Sequence, residues 1–224
     1  MDKIKAIIFD VDGVLIDADY SRVEKYRRLV QYFNIHYHDI RISFNNEIKP
    51  LVQSKDYGGV DWLVNHLSYY ETIFGLQDHH KDYIKKQYAD GIELEPKYYP
   101  AYKGTKEVLE QLSKDYILVA YSAAKWETTR SKLEYNNINR IWAAVNCGND
   151  GDSNSKERVI SQCIEDLGAR DIEPHEIAIV DDRIQAGIKI GKKYGLHRIH
   201  IKQGIHANNE YVPDRTIKTL GELC

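Results

Sequence analysis

The sequence predicts a doubly wound α/β fold, a parallel sheet with helices on both faces, interrupted by an inserted helical domain. Two observations carry the sheet: five short apolar-rich runs, and stretches with apolar residues at helical spacing between them. A third carries the insert. The first and second runs are separated by far more chain than one crossover needs. That stretch also differs in composition, since twelve of the 17 tyrosines lie between Tyr20 and Tyr102.

Taken in order, residues 4–10 (IKAIIFD) read as the first buried strand and 116–122 (YILVAYS) as the second. Residues 141–146 (IWAAVN), 176–182 (EIAIVDD) and 198–202 (RIHIK) read as the third, fourth and fifth. The helices between them are expected over 104–113, 125–135, 155–167 and 184–194. Within the insert, residues 21–33, 60–74 and 79–89 have helical patterns. The expected division is therefore a catalytic core of residues 1–17 and 101–224, with a helical cap over residues 18–100. Gly187, Gly191 and Gly195 lie four apart, but Lys189, Lys192 and Lys193 interleave, which fits a soluble helix packed closely on the sheet.

Composition bounds the function classes. At 224 residues the chain can bury roughly 70–75% of its unfolded surface, so no metal or disulfide is needed to hold a core. A net charge of −3 gives no footprint for bulk nucleic acid or an anionic membrane. No apolar run approaches the ~18 residues of a membrane span. Cys147, Cys163 and Cys224 are scattered and odd in number, which fits a reducing compartment. With no signal-peptide pattern at the start, a cytoplasmic protein, monomeric or homodimeric, is expected.

In open α/β sheets ligands bind beyond the carboxyl ends of the strands, so the residues that end each strand are the informative ones. The first strand ends in Asp10-Val11-Asp12-Gly13, the second in Ser122-Ala123-Ala124, the fourth in Asp181-Asp182, and Lys156 opens the helix after the third. Singly, such an aspartate is usually a helix cap or turn residue. Jointly, four carboxylates on one edge repel unless a cation joins them, and hard oxygen donors favour Mg²⁺. Asp10, Asp12, Asp181 and Asp182 are the candidate metal ligands. A carboxylate beside Mg²⁺ can attack a phosphoryl group in line, which makes Asp10 the candidate nucleophile. Asp12 can serve as acid and then base, while Ser122 and Lys156 stabilise the transferring group. Val11 and Ala123 are candidate substrate contacts, Ala123 through its backbone N–H.

These residues resemble the motifs of the haloacid dehalogenase-like hydrolase superfamily. Asp10-Val11-Asp12-Gly13-Val14-Leu15 is similar to its first motif, Ser122 to the second, Lys156 to the third and Val180-Asp181-Asp182 to the fourth. Pro100-Ala101-Tyr102-Lys103-Gly104 resembles the return from cap to core, and Pro213-Asp214-Arg215-Thr216-Ile217 the C-terminal ending. An insertion soon after the first motif resembles the helical-cap subclass, which includes phosphoglycolate phosphatase and β-phosphoglucomutase. Lys55, before Tyr57-Gly58-Gly59 in the insert, resembles in its place the substrate-contacting cation of related caps, which makes it a candidate substrate cation. The resemblance implies a Rossmann-like core and a Mg²⁺-dependent phosphatase that hydrolyses a small phosphorylated metabolite through an aspartyl phosphate on Asp10. Haloacid dehalogenases lack the second aspartate and phosphonatases replace it, so Asp12 disfavours both. A sugar-phosphate mutase is the alternative; a phospho-aspartate signalling module or a non-catalytic phosphate-binding regulator stands behind it. After Asp182 the segment Arg183-Ile184-Gln185-Ala186-Gly187 departs from the family spacing by about one residue. That leaves the principal metal ligand open between Asp181 and Asp182, with Asp182 preferred by strand-end alignment.

Overall fold

Six strands form one sheet in the order β3-β2-β1-β4-β5-β6, and every pairing is parallel. They are β1 (Ala6–Asp10), β2 (Ile117–Ser122), β3 (Ala144–Cys147), β4 (Ile177–Asp181), β5 (His197–Ile201) and β6 (Arg215–Ile217). The structure, a computed structural model, describes residues 3–38, 43, 45–46, 77–89, 94–148, 155–202 and 212–224. The chain divides into two compact units, residues 1–18 with 99–224, and residues 19–98.

The sheet belongs to the first unit. β1 and β4 are buried along their whole length, as continuous apolar strands covered on both faces should be. Strand pleating sorts their residues by parity. Ala6 and Ile8 of β1, Val119 and Tyr121 of β2, and Ile177 and Ile179 of β4 form one cluster with Val159, Ile160, Cys163 and Leu167. The latter four lie on a helix over Ser155–Gly168. Each fully buried Ile, Val or Leu there contributes about 1.5–3 kcal/mol. The same parity continues to Asp10 and Asp181, so the helix that covers this face also faces the two carboxylates.

The remaining elements of this unit sit close to their expected places. Gly104 takes a left-handed φ of 82° and opens a helix over Thr105–Leu112, whose Leu109 and Leu112 are buried. That helix packs against a short turn, Leu220–Leu223. A helix over Trp126–Tyr135 joins β2 to β3. Three expectations change. The third strand starts at Ala144 rather than at 141, and it is half-buried because it lies at the sheet edge. Trp142, placed in that strand by its hydropathy, lies before it and meets Phe9 edge-on, with ring centroids 6.0 Å apart. The expected single helix over 184–194 is a π-helical turn, Ile184–Ile188, followed by an α-helix, Lys189–Tyr194, that ends on Gly195 at φ 73°.

In the second unit, a helix that begins at the boundary spans Ala18–His36 and another spans Asp78–Ala89. Tyr26, Leu29, Val30 and Phe33 make a buried stripe at helical spacing on the first. Phe33 meets His80 of the second helix edge-on at 5.8 Å, and His36 stacks on Tyr83 at 4.3 Å. The expected helix over 60–74 and Lys55 lie outside the described residues. Among the described residues, no helix is long and apolar enough to cross a membrane.

Candidate active site

The strand order reverses at β1: the chain builds outward through β2 and β3, then returns to place β4 on the other side. Asp10 ends β1 and Asp181 ends β4, so both stand at this switch point, where ligands of doubly wound sheets bind. Asp10 is in register with Tyr121 of β2. Lys156, in the first turn of the helix over Ser155–Gly168, reaches into the group from above. Its Nζ lies 2.7 Å from Asp10 Oδ2 and 2.9 Å from Asp181 Oδ2.

Three carboxylates, those of Asp10, Asp181 and Asp182, bring oxygens within 4.8 Å of one another, and all three are buried. Against them stand the Lys156 ammonium, in contact with Asp10 and Asp181, and the charge of the neighbouring Arg183, so negative charge is in excess when all three carboxylates are ionised. The three carboxylates are not equivalent. Asp181 is saturated: it accepts from Lys156, from the Tyr121 hydroxyl, and from the backbone N–H of Arg183 at 2.7 Å. Burial alone would raise its pKa, but these partners win and hold it below the ordinary value. Burial pushes Asp10 up to about 7, against the opposing pull of Lys156. Burial, with the charges of Asp181 and Asp10, pushes Asp182 up to about 8. Asp182 Oδ1 is buried and has no hydrogen-bond partner among the described residues. A buried carboxylate oxygen left this way costs free energy unless a cation or proton meets it. The set thus fits a divalent cation with oxygen ligands.

Two glycines make the cluster possible. Gly13 holds φ 91°, and a Cβ there would lie 2.6 Å from Asp182 Cγ. It lets the loop after β1 press against the Asp182 carboxylate. Gly187 sits within the π-helical turn, where a Cβ would lie 2.6 Å from Asp181 Cγ and 2.5 Å from the Tyr121 hydroxyl. The π-helical turn lies in the segment whose spacing departs from the family pattern, and it carries Gly187 back against Asp181. The Asp182 carbonyl accepts from Nε2 of His200 at 3.1 Å. Burial lowers the His200 pKa.

Asp12 does not join the three carboxylates, contrary to the expectation that all four gather around one cation. Its two oxygens accept from Nζ of Lys132, at 2.7 and 2.9 Å. Ser122 is buried at the end of β2, and its Oγ accepts from the N–H of Ala124 at 3.1 Å, which leaves the hydroxyl proton to give. Ala123 is exposed just beyond the strand. The Val11 N–H is shared between Asp10 Oδ1 and the Tyr121 carbonyl, each at 3.0 Å.

A sequence profile described as haloacid dehalogenase-like hydrolase matches residues 4–195. The chain belongs to this family. Among curated proteins none matches this hydrolase in sequence. Solved structures do match it in fold. A haloacid dehalogenase-superfamily hydrolase of subfamily IA from Geobacter sulfurreducens PCA has a TM-score of 0.71 at 17% identity, covering 99% of this chain and 95% of the other. A predicted phosphoglycolate phosphatase from Haemophilus somnus 129pt gives 0.67 at 19% identity, covering 100% and 97%. A dehalogenase in an intermediate complex gives 0.59 at 18% identity, covering 100% and 96%.

Two polar groups at the site were not legible in the sequence. Tyr121 lay inside an apolar run, and only the pleat parity it shares with Asp10 and Asp181 could have aimed its hydroxyl at them. Lys132 lies in a helix with many charges, where a lysine reads as solvated. Its spacing from the buried Thr129 and Leu133 was the available signal that it faces inward.

Proposed function

We propose that this hydrolase is a Mg²⁺-dependent phosphatase that cleaves a small phosphorylated metabolite through a phosphorylated Asp10. The observation that carries the reading is the pair of differently held carboxylates on one loop. Asp10 lies in the cluster with Lys156, while Asp12 stands apart from that cluster, two residues on. A hydrolase that releases an alkoxide needs such a second carboxylate; one that releases halide does not.

Asp10 and Asp182 would hold the metal, since Asp182 Oδ1 is without a partner, whereas Asp181 is occupied in fixing Lys156. When bound, Mg²⁺ supplies charge neutralisation for the carboxylates and for the phosphoryl oxygens. The protein groups do the rest. An Asp10 oxygen bonds to phosphorus as the ester P–O bond breaks, and Asp12 gives its proton to the departing oxygen. A water then gives a proton to Asp12 and attacks the phosphorus, which frees inorganic phosphate and restores Asp10. Lys156 and Ser122 hold the spread negative charge of the transferring group.

The test is phosphate release from a chromogenic aryl phosphate, with and without Mg²⁺, by wild type and Asp10→Asn. Metal-dependent release that is lost in the folded variant is the expected result. Release retained by Asp10→Asn would remove the assignment, and an isomerised sugar phosphate without free phosphate would point to a mutase.

A further inference from the structure

Lys132 is a buried lysine with a defined position. Its side chain is only 6% exposed, and its Nζ meets both oxygens of Asp12, itself 32% exposed. The same Nζ lies 4.5 Å from the ring centroid of Tyr99, a cation–π distance. One turn further along the helix over Trp126–Tyr135, the side chain of Asn136 ties this arrangement together. Its Nδ2 donates to the carbonyls of Tyr99 and Lys132, both at 2.8 Å, and its Oδ1 accepts from the Ala101 N–H at 2.7 Å.

The Asp12 loop joins the same frame. Asp12 bridges to Ile16, and Ile16 bridges to Ala101. The Gly13 N–H reaches the Ile16 carbonyl at 2.9 Å, and the Tyr102 N–H reaches the Leu15 carbonyl at 3.0 Å. Three separate segments are therefore fixed to one another around a single ion pair. A buried ammonium is costly to desolvate, and a buried ion pair adds little net stability over an apolar replacement of the same shape. Stability does not account for a lysine here. The partner does, because Asp12 is the carboxylate that must face a leaving oxygen.

Building on the phosphatase reading, we infer that Lys132, braced by Tyr99 and Asn136, is a positioning residue that sets the direction in which Asp12 presents its carboxyl to the leaving group. Among the described residues, the Lys132 ammonium pairs with Asp12, whereas Lys156 is the lysine that pairs with Asp10 and Asp181. The effect of Lys132 is confined to what Asp12 does: the carboxylate that it orients takes up a proton from water with the substrate, and that proton passes from the Asp12 carboxyl to the ester oxygen as the P–O bond breaks and the Asp10–P bond forms. Esters whose leaving group departs as a stable phenolate do not need that proton; alkyl esters do. A misplacement of about 1 Å at such a group can cost roughly a hundredfold in rate.

The experiment measures kcat/KM for an alkyl phosphate and for 4-nitrophenyl phosphate with Mg²⁺. The proteins are wild type, Lys132→Met and Lys132→Arg, and the methionine variant is also made in an Asp12→Asn background, with thermal melts to verify folding. Lys132→Met is expected to lower the alkyl-to-aryl ratio by roughly tenfold or more. Lys132→Arg, which keeps the charge and a donor pair, recovers part of that loss. In the Asp12→Asn background Lys132→Met no longer changes the ratio. Equal losses on both esters, or a ratio change that persists without the Asp12 carboxylate, would overturn the inference while leaving the phosphatase reading intact. Absence of release by wild type, or release retained by Asp10→Asn, removes both.

Discussion

Removal of the metal should make this protein's stability depend on pH in a way that Mg²⁺ abolishes. Asp10 and Asp182 carry folded-state pKa values of about 7 and about 8, both raised by burial and both above the ordinary carboxylate value. In the unfolded chain these groups titrate near 4. A carboxyl raised on folding adds stability that is fully present below about pH 4 and is lost as pH rises through the folded value. At about 1.4 kcal/mol per unit, the two units between pH 5 and the folded value of Asp10 cost about 3 kcal/mol in the metal-free site. Asp182 adds to this, but the two repel each other, so their costs do not simply sum. For a chain of this size that corresponds to a fall in Tm on the order of 10 °C between pH 5 and pH 8.5. The assay is calorimetry in chelator and in excess Mg²⁺ at both pH values, for wild type and Asp182→Asn. Mg²⁺ should raise Tm strongly at pH 8.5 and little at pH 5, where protons already occupy the carboxyls. Asp182→Asn removes one buried charge, so it should raise the chelated Tm at pH 8.5 and shrink the Mg²⁺ shift. An equal Mg²⁺ shift at both pH values, or a lower chelated Tm for Asp182→Asn at pH 8.5, would refute the charge argument.

Other substitutions probe the support of the cluster. Tyr121→Phe keeps the ring but leaves Asp181 without its hydroxyl donor, and a lost hydrogen bond to a buried charge costs about 1.5–3 kcal/mol. Calorimetry should register a Tm drop of several degrees; an unchanged Tm would mean the bond carries no weight. Gly187→Ala drives a methyl into Asp181 and the Tyr121 hydroxyl, so the π-helical turn must move. Overpacking of this kind costs about 1–3 kcal/mol. Phosphate release and Tm should fall together, and a variant that keeps both would show that the turn yields freely.

Legibility in the sequence followed how local the cause was. The strands β1, β2 and β4 are continuous apolar runs ending in polar residues, so their place and their terminal aspartates could be read directly. Lys156 could be placed because it opens a helix after a strand. β6 was not read as a strand because three residues, Arg215–Ile217, carry no period. The π-helical turn was visible only as an offset between Asp182 and Gly187. Periodicity does not distinguish an inserted residue from a continuing helix. The separation of Asp12 from the other carboxylates could not be read at all. It depends on Lys132, which lies 120 residues away and meets Asp12 only once the sheet is assembled. The unequal roles of Asp181 and Asp182 likewise depend on Tyr121 and the Arg183 backbone, which reach Asp181 and leave the buried Asp182 Oδ1 without a hydrogen-bond partner among the described residues.

The sheet's strand order has a consequence for how the chain comes off the ribosome. β1 pairs with β2 and with β4, so Ala6 waits for Ile117 and Ile177 before either edge is covered. At roughly 5–20 residues per second, that delay is on the order of ten seconds, during which an apolar strand has both edges open. The intervening residues 19–98 form their own compact unit and can fold during the delay. The insert thus makes the nascent catalytic unit a client for whatever shields unpaired strands, and β1 the segment where aggregation during synthesis would begin.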